Sequence, residues 1–558
     1  MDVVLVGLPG SGKSVVGRRL AQRGRAVFID LDEQIERRAG RPIPAIFADE
    51  GETGFRARER AEVAALGPAG TSSRLQRVIA AGGGAPVDPR NRWALYRGRT
   101  VAWLDGSPEV FAQRLRRSMR VRPLIAGRDP VGAVRQLGAA RRRFYAAGIR
   151  LNGLAEVAAN VETLERALAE TSAEGTTLLR AQTAIGGLEL GHGIAATTVR
   201  DVLAGLEARR AVLVSEPKAW QVAGSGLAAS LARAGIPTES ILLPRGEAAK
   251  RLRVVERAAR ELAGQRVERG EPIVAIGGGA LGDAAGFLAA TYLRGVPLVH
   301  VPTTLVAQID SAIGGKTAVD LPEGKNLVGT FHQPAAVITD IAFLASLPVR
   351  HRRAALGEAV KMAVLGDERL LELLESDGPA IAEGDPAVVE SGALAELVER
   401  CAWAKVEIVV ADQRERAGRI VLNLGHSLGH AIEAAAGYRG LLHGEAVAHG
   451  LRGAVRIGEE IGLTPADRAG RILRLLDLLG LAVRPAEVPV DAVREHLGVD
   501  KKHAGGRLQW VLPTESGVIV RSDVPAGAVE AGLAAAIGGG AAGGGLAAAA
   551  RRRGAGLP

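Results

Sequence analysis

"VVLVGLPGSGKS", residues 3–14, decides how the first part of the chain folds. Residues 3–8 are apolar without alternation, as a strand buried on both faces is. The run then breaks into glycines and ends on Lys13 and Ser14, fitting G-x-x-x-x-G-K-[ST] over residues 7–14. A strand that enters such a loop and leaves as a helix aims its backbone N–H groups at one point, where phosphates bind. Gly10, Ser11 and Gly12 supply the amides, Lys13 an ammonium for the outer phosphates, and Ser14 a hydroxyl for Mg²⁺.

Working outward, "RAVFIDLD" (25–32), "RVIAAGGG" (77–84) and "TVAWLDG" (100–106) read as further strands separated by helical patterns, which predicts a parallel α/β unit. Asp30 and Asp32 are two residues apart, so they are expected on one side of a strand end. One carboxylate would serve the metal and the other an acceptor hydroxyl. "GETGFRARE" (51–59) adds Arg56, "AAGGGA" (80–85) a side-chain-free loop with Gly83 and Gly84, "VRPLIAG" (121–127) Arg122 on an expected lid, and "RRRFY" (141–145) Arg141. "TSAEGTT" (171–177) is small and polar and reads as a linker.

A second α/β series follows, with strands expected at 210–215, 238–244, 272–279 and 298–304, and long helices from about residue 340. "IGGGALGD" (276–283) carries G-x-G-x-x-G after a strand, a dinucleotide signal that is weak alone. Glu247 and Lys250 in "PRGEAAK" suit ribose and phosphate contacts, and Thr303, Thr304, Asp310, Lys316, Lys325 and Asn326 follow in two dense motifs. Glu358 and Lys361 are three apart, on one helical face. His426 and His430 in "NLGHSLGH" are four apart, and His443 follows in "LLHGEA". Histidines with an acid suit zinc with an open position, but spacing alone leaves ligands, acid/base groups and core histidines all open.

Composition narrows the class. The net charge is +10, yet basic residues are dispersed and aromatics are 3%, which speaks against nucleic acid. Cys401 is the sole cysteine, so neither a disulfide framework nor a cysteine-rich zinc module is available. No apolar run reaches membrane-spanning length and no signal peptide is recognisable, so a cytoplasmic protein with small-molecule substrates is expected. Nine lysines stand against 62 arginines. Where Arg serves as the generic cation, remaining lysines mark places needing a compact ammonium. They are Lys13, Lys218, Lys250, Lys316, Lys325, Lys361, Lys405, Lys501 and Lys502.

The first motif set, in its order, resembles shikimate kinase over nearly all of residues 1–168. That resemblance implies ATP with Mg²⁺, Ser14 and Asp30 in the metal shell, and Asp32 on the hydroxyl to be phosphorylated. It implies Arg56 and Arg141 on the substrate carboxylate, Gly83 and Gly84 as backbone contacts, and Arg122 over the transferring phosphoryl group. The family's adenine-side turn is absent from "ANVETLERA" (159–167). "GGGALGDAAGFLAATYLRG", "VPTTLVAQIDSAIGGKTAV", "GEAVK", "NLGHSLGHAIEA" and "LHGEAVAHG" resemble 3-dehydroquinate synthase over roughly 178–535. This resemblance implies Zn²⁺, or possible Co²⁺, on Glu358, His426 and His443. His430 belongs to the catalytic hydrogen-bond network, with Lys316, Lys405 and Glu415 also catalytic. NAD⁺ would be held by Glu247, Lys250, Gly278, Gly279, Asp283, Thr303, Thr304, Asp310, Lys316 and Lys325. Substrate would be held by Arg294, Asp310, Lys316, Asn326, Lys361, Lys405, Arg419, Asn423, His430 and one of Lys501 or Lys502. A homodimer through the synthase half is also implied.

The expected architecture is α/β. A P-loop, NMP-kinase-like parallel-sheet domain (1–168) is followed by a linker (169–178). A Rossmann-like NAD-binding domain (179–325), an all-helical metal- and substrate-binding domain (326–535) and a low-complexity, disordered tail (536–558) complete it. The expected function is bifunctional: phosphorylation of shikimate, and conversion of 3-deoxy-D-arabino-heptulosonate 7-phosphate to 3-dehydroquinate and phosphate. The alternatives are another sugar phosphate cyclase fused to a small-molecule kinase, a regulatory kinase half without turnover, and a metal-dependent alcohol dehydrogenase.

Overall fold

A computed structural model describes residues 1–70, 72–117, 123, 125, 129–170, 175–503 and 508–538. They form two compact units, Met1–Glu207 with Ala336–Ala342, and Ala208–Ala335 with the segment from Phe343 onward.

The first unit is built on a five-stranded parallel sheet. Its order is Val27–Asp30, Arg77–Ala80, Asp2–Val6, Thr100–Asp105, Ile149–Asn152. Asp2–Val6 is buried along its whole length, because it has a strand on each side and helices over both faces. Val3, Leu5, Leu20, Val78, Leu104, Val161 and Leu164 make the core, each worth about 1.5–3 kcal/mol on burial. The central strand delivers the chain into the glycine loop, and the helix Lys13–Gly24 starts directly after Gly12. Gly10 and Gly12 have φ of 82° and 96°, which only glycine adopts freely.

The two acids expected on one side of a strand end are divided between a strand and a helix. Asp30 ends its strand, but Asp32 lies in the first turn of the helix Leu31–Ala39. The Asp30 side chain caps that helix, accepting from the Asp32 and Glu33 amides. The two carboxylates are therefore not on one strand face; the strand's alternation stops at the cap. The same unit contains the antiparallel strands Thr176–Thr183 and Gly186–His192, the second pairing in parallel with Ala336–Asp340. Strand Thr176–Thr183 and helix Val157–Glu170 both reach into the range expected to be linker, whose residues 171–174 lie outside the description.

The second unit carries a parallel sheet ordered Thr238–Leu242, Ala211–Ser215, Ile273–Gly277, Leu298–Pro302. An antiparallel pair, Lys316–Leu321 and Gly324–Phe331, follows. Among the described residues eight longer helices come after residue 348, ending with Ala526–Gly538. An all-helical domain was expected here; the part is mainly helical but also carries strands. Gly324–Phe331 crosses the expected boundary at 325/326, and Trp510–Pro513 pairs with Val518–Arg521. Those four-residue strands, rich in β-branched residues, close a turn in which the Thr514 amide bonds to the Gly517 carbonyl at 2.8 Å. Such short pairs are drowned in a sequence pattern dominated by helices. The expected tail begins inside the last helix, and residues 539–558 lie outside the description.

Glycines let three helices in this unit touch backbone to backbone. A Cβ on Gly357, in Val349–Val364, would sit 2.3 Å from the Gly444 carbonyl, in His443–Glu460. One on Gly450 would sit 1.8 Å from the carbonyl of Gly425, which precedes the helix His426–Ala435. One on Gly429 would sit 3.0 Å from the Ala446 carbonyl. Glu358, His443, His426 and His430 are each the immediate chain neighbour of one of these glycines.

Candidate active sites

In the first unit, Lys13 folds across its loop, with Nζ 2.9 Å from the Gly7 carbonyl and 3.1 Å from that of Leu8. The Ser14 hydroxyl donates to Asp30 Oδ2 at 2.6 Å. A hydroxyl and a carboxylate at that separation, beside a phosphate loop, fit the oxygen-only shell that Mg²⁺ prefers. Beyond the loop lies a cleft of about 390 Å³, lined among others by Asp32, Arg56, Glu59, Gly82, Gly84 and Arg141. Side chains of the cleft pack directly on its glycines, and any Cβ there would displace them. A Cβ on Gly82 would lie 2.7 Å from Asp32 Oδ1, and one on Gly84 2.3 Å from Arg56 Nη1. Arg141 Nη1 donates to the Gly83 carbonyl at 2.9 Å, and the Tyr145 hydroxyl donates to the same oxygen. Burial pushes that phenol up to about 12, so it stays a donor.

Glu59 was missed by sequence reasoning. It is 1% exposed and pairs with Arg56 at 2.8 Å. Burial raises its carboxyl, and Arg56 opposes this. Its only signal is the three-residue helical spacing from Arg56. Arg122 lies outside the described residues.

In the second unit, the strand Ile273–Gly277 hands over to the helix Gly279–Thr291 through Gly278. A Cβ on Gly278 would meet Thr304 Cγ2 at 3.1 Å, and one on Gly279 would meet Ser311 Oγ at 2.8 Å. This side-chain-free cradle at a helix start fits a dinucleotide's phosphates. Lys250, 3% exposed, pairs with Asp283 at 2.8 Å and donates to Asn326 Oδ1. Burial lowers that ammonium's pKa, and Asp283 and Glu247 outweigh it to raise it. Lys325 stands 3.3 Å from Glu247 and 3.5 Å from Glu433. Thr303 is buried and its amide bonds to the Gly277 carbonyl at 2.9 Å. Arg294 is exposed and has φ of 65°.

Asp310 links two lysines, with Lys405 at 2.7 Å and Lys361 at 3.7 Å. Burial would raise its carboxyl; the two ammonium groups bring it down to about 2. Burial lowers Lys405, reinforced by the positive charge of Lys361 and Arg419. Arg419 is buried and donates to the Gly314 carbonyl at 3.1 Å. Glu415 pairs with Lys316 at 2.5 Å, and Asn423 ends the turn Gly418–Asn423. Lys501 and Lys502 fall on the helix Val490–His503, with their side chains outside the description.

Glu358 is the hub. It is 0% exposed, with Lys361 Nζ 2.6 Å from Oε2, and His443 Nε2 3.0 Å and His426 Nε2 3.5 Å from Oε1. Neither oxygen accepts a well-aligned hydrogen bond among the described residues. Burial works against its ionisation, and Lys361 and His426 overcome it, holding the carboxyl well below its ordinary value. His426 Nδ1 donates to the Leu424 carbonyl at 3.1 Å, and His443 Nδ1 donates to Glu433 Oε2 at 3.1 Å. Each ring thus turns Nε2 toward Glu358. His430 joins them with ring centroids 5.2 Å and 5.8 Å away, and one ring nitrogen from each of the three histidines lies within 4.8 Å of the other two. Surrounding protein and the two neighbouring imidazoles push His430 down, although its exposed ring lets solvent moderate the effect. A buried carboxylate with unsatisfied oxygens and two oriented imidazoles fits zinc. Burial lowers His443, and Glu358 and Glu433 outweigh it, raising the group to about 10. Glu433 was also missed by sequence reasoning; its signal is a position seven residues after His426, on the same helix face.

Among the described residues no helix is long and apolar enough to cross a membrane. Family models match shikimate kinase over residues 9–160, the N-terminal part of 3-dehydroquinate synthase over 240–354, and its C-terminal part over 355–503. The 3-dehydroquinate synthase of Symbiobacterium thermophilum is 44% identical over 332 residues, 59% of this chain and 91% of that protein. ValA, a 2-epi-5-epi-valiolone synthase from Streptomyces hygroscopicus subsp. jinggangensis 5008 solved with NAD⁺ and Zn²⁺, is 32% identical. Its TM-score is 0.54, over 58% of this chain and 89% of its own. A 2-deoxy-scyllo-inosose synthase solved with carbaglucose-6-phosphate, NAD⁺ and Co²⁺ is 26% identical, with a TM-score of 0.56 over 63% and 99%.

Proposed function

The chain belongs to the 3-dehydroquinate synthase family and carries a shikimate kinase unit ahead of the synthase, and from that premise we propose how its residues divide two reactions. The kinase transfers a phosphoryl group from ATP to shikimate. The synthase converts 3-deoxy-D-arabino-heptulosonate 7-phosphate to 3-dehydroquinate and phosphate.

In the kinase, the loop amides and Lys13 neutralise the nucleotide's phosphates, and Ser14 with Asp30 would hold Mg²⁺. Asp32 faces the acceptor hydroxyl, and Arg56 and Arg141, both lining the cleft, grip the carboxylate. Phosphoryl transfer needs charge and alignment above all, and these groups supply both.

In the synthase, Glu358, His426 and His443 would hold zinc, and Glu247, Lys250, Gly278, Gly279, Asp283, Thr303, Thr304 and Lys325 would hold NAD⁺. When bound, zinc supplies a Lewis acid for a substrate hydroxyl and NAD⁺ a reversible redox partner. Lys361, Lys405 and Arg419 bind the anionic acid, with Asp310 holding the two ammonium groups in place. His430 and the Glu415–Lys316 pair would handle the substrate's protons. A homodimer through the synthase half follows from the family resemblance, and a cytoplasmic location from the lack of a recognisable signal peptide or membrane-spanning run in the sequence.

The observation that carries the synthase reading is the convergence of Glu358 Oε1 on two imidazoles, each with its other nitrogen already tied. A different sugar phosphate cyclase is less favoured. The neighbours with other products are 32% and 26% identical, and the synthase relative reaches 44%. The test is phosphate release from 3-deoxy-D-arabino-heptulosonate 7-phosphate against sedoheptulose 7-phosphate. Turnover of the first supports the reading; turnover of the second alone refutes it.

A further inference from the structure

We infer that Glu433 is a positioning residue for the metal centre: it fixes the His443 ring so that Nε2 meets the metal. This rests on the synthase reading above. Glu433 lies on the helix His426–Ala435, two turns after His426, and is 5% exposed. An acceptor-only carboxylate is expensive to bury unless it is paired. Its Oε2 is 3.1 Å from His443 Nδ1, and its Oε1 is 3.5 Å from Lys325 Nζ.

The two imidazoles differ in what holds them. His426 is 12% exposed in its side chain and tied to the Leu424 carbonyl, so packing and backbone already orient it. His443 keeps 40% of its side-chain surface and is the first residue of its helix. Packing alone leaves its ring free to turn, and Glu433 is the group that stops it. A carboxylate can only accept, so the bond requires the proton on Nδ1 and leaves the Nε2 lone pair for metal. Lys325 balances the second oxygen. Because Lys325 also reaches Glu247, one carboxylate joins the zinc side of the site to the dinucleotide side.

The test uses the full-length chain with Glu433→Ala, Glu433→Met and Glu433→Gln. Zinc affinity is measured by chelator competition, and the visible spectrum of the Co²⁺-loaded protein reports ligand geometry. Loss of such a partner typically weakens a metal site about 10–100-fold. We expect that loss in the Ala and Met variants, with an altered cobalt spectrum, and recovery of most of it in Gln, which still offers an acceptor oxygen. Met fills the same volume and stands in if Ala does not fold. Zinc affinity within twofold of the unsubstituted chain in Ala or Met overturns the inference, as does an equal loss in Gln. If the unsubstituted chain binds no zinc, the synthase reading fails with it; if it binds zinc and Glu433→Met binds it equally, only the Glu433 assignment fails.

Discussion

Gly444→Ala tests whether glycine contacts between helices build the metal site. A Cβ at Gly444 would lie 1.9 Å from the Ala354 carbonyl oxygen and 2.7 Å from its carbon. Ordinary contact begins at 3.4 Å, so the helices Val349–Val364 and His443–Glu460 must part by about 1.5 Å. Both clashing atoms are backbone, so no side chain can swing away. Glu358 and His443, now 3.0 Å apart, separate with their helices. Metal–ligand distances tolerate only about 0.2 Å, so one ligand is lost. Zinc affinity should fall by at least about 100-fold, beyond the upper range for disturbing a ligand's support. Overpacking should cost about 1–3 kcal/mol of stability. Gly226→Ala is the control: its helix position has nothing within 4 Å among the described residues, and it should gain up to about 1 kcal/mol. Chelator competition and calorimetry measure both quantities. Unchanged zinc affinity in Gly444→Ala would refute the reasoning.

Three further outcomes are expected. Gly84→Ala should displace the Arg56 guanidinium, whose Nη1 lies 2.3 Å from the new Cβ, and raise the shikimate KM about 10–100-fold. Phosphate release by the same sample should be unchanged; a wild-type KM would remove Arg56 from the carboxylate clamp. In the metal-free chain His443 holds its proton up to about pH 10, so zinc must displace it. Apparent zinc affinity should therefore rise about tenfold per pH unit between pH 7 and 9 from this group, measured by chelator competition. The same raised group stabilises the metal-free fold fully below its unfolded value of about 6.5, and that contribution is lost as pH climbs to about 10. Lys250→Met leaves Asp283 without its ammonium at 2.8 Å. Because Asp283 keeps 23% of its side-chain surface, the loss should be about 1–3 kcal/mol, read as a lower Tm, and adding Asp283→Leu should restore part of it.

The phosphate loop and the strand before it were fully legible, because glycine spacing and a buried strand have few other uses. The lysine census was equally informative. Six of the nine lysines, Lys13, Lys250, Lys316, Lys325, Lys361 and Lys405, stand in the two clusters. The Asp30–Asp32 placement was not legible, since a cap replaces the strand's alternation within two residues. Glu59 and Glu433 stayed hidden for another reason. Their roles depend on what the fold provides: deep burial beside the half-buried Arg56 for the first and an imidazole from another helix for the second. The spacing of His426 and His430 showed a shared helix face but not which ring is tied through its far nitrogen. The glycines beside Glu358, His426, His430 and His443 were visible, yet only the helix crossings reveal what their missing side chains permit.

One chain performs two reactions at separate centres. The direct measurement assays both on the same purified chain and on its Lys13→Ala and Glu358→Gln variants. The account predicts both activities in the unsubstituted chain. Lys13→Ala should lose shikimate-dependent ADP formation and keep phosphate release from 3-deoxy-D-arabino-heptulosonate 7-phosphate, and Glu358→Gln should do the reverse. Loss of both activities in either variant, or absence of one from the unsubstituted chain, would contradict it.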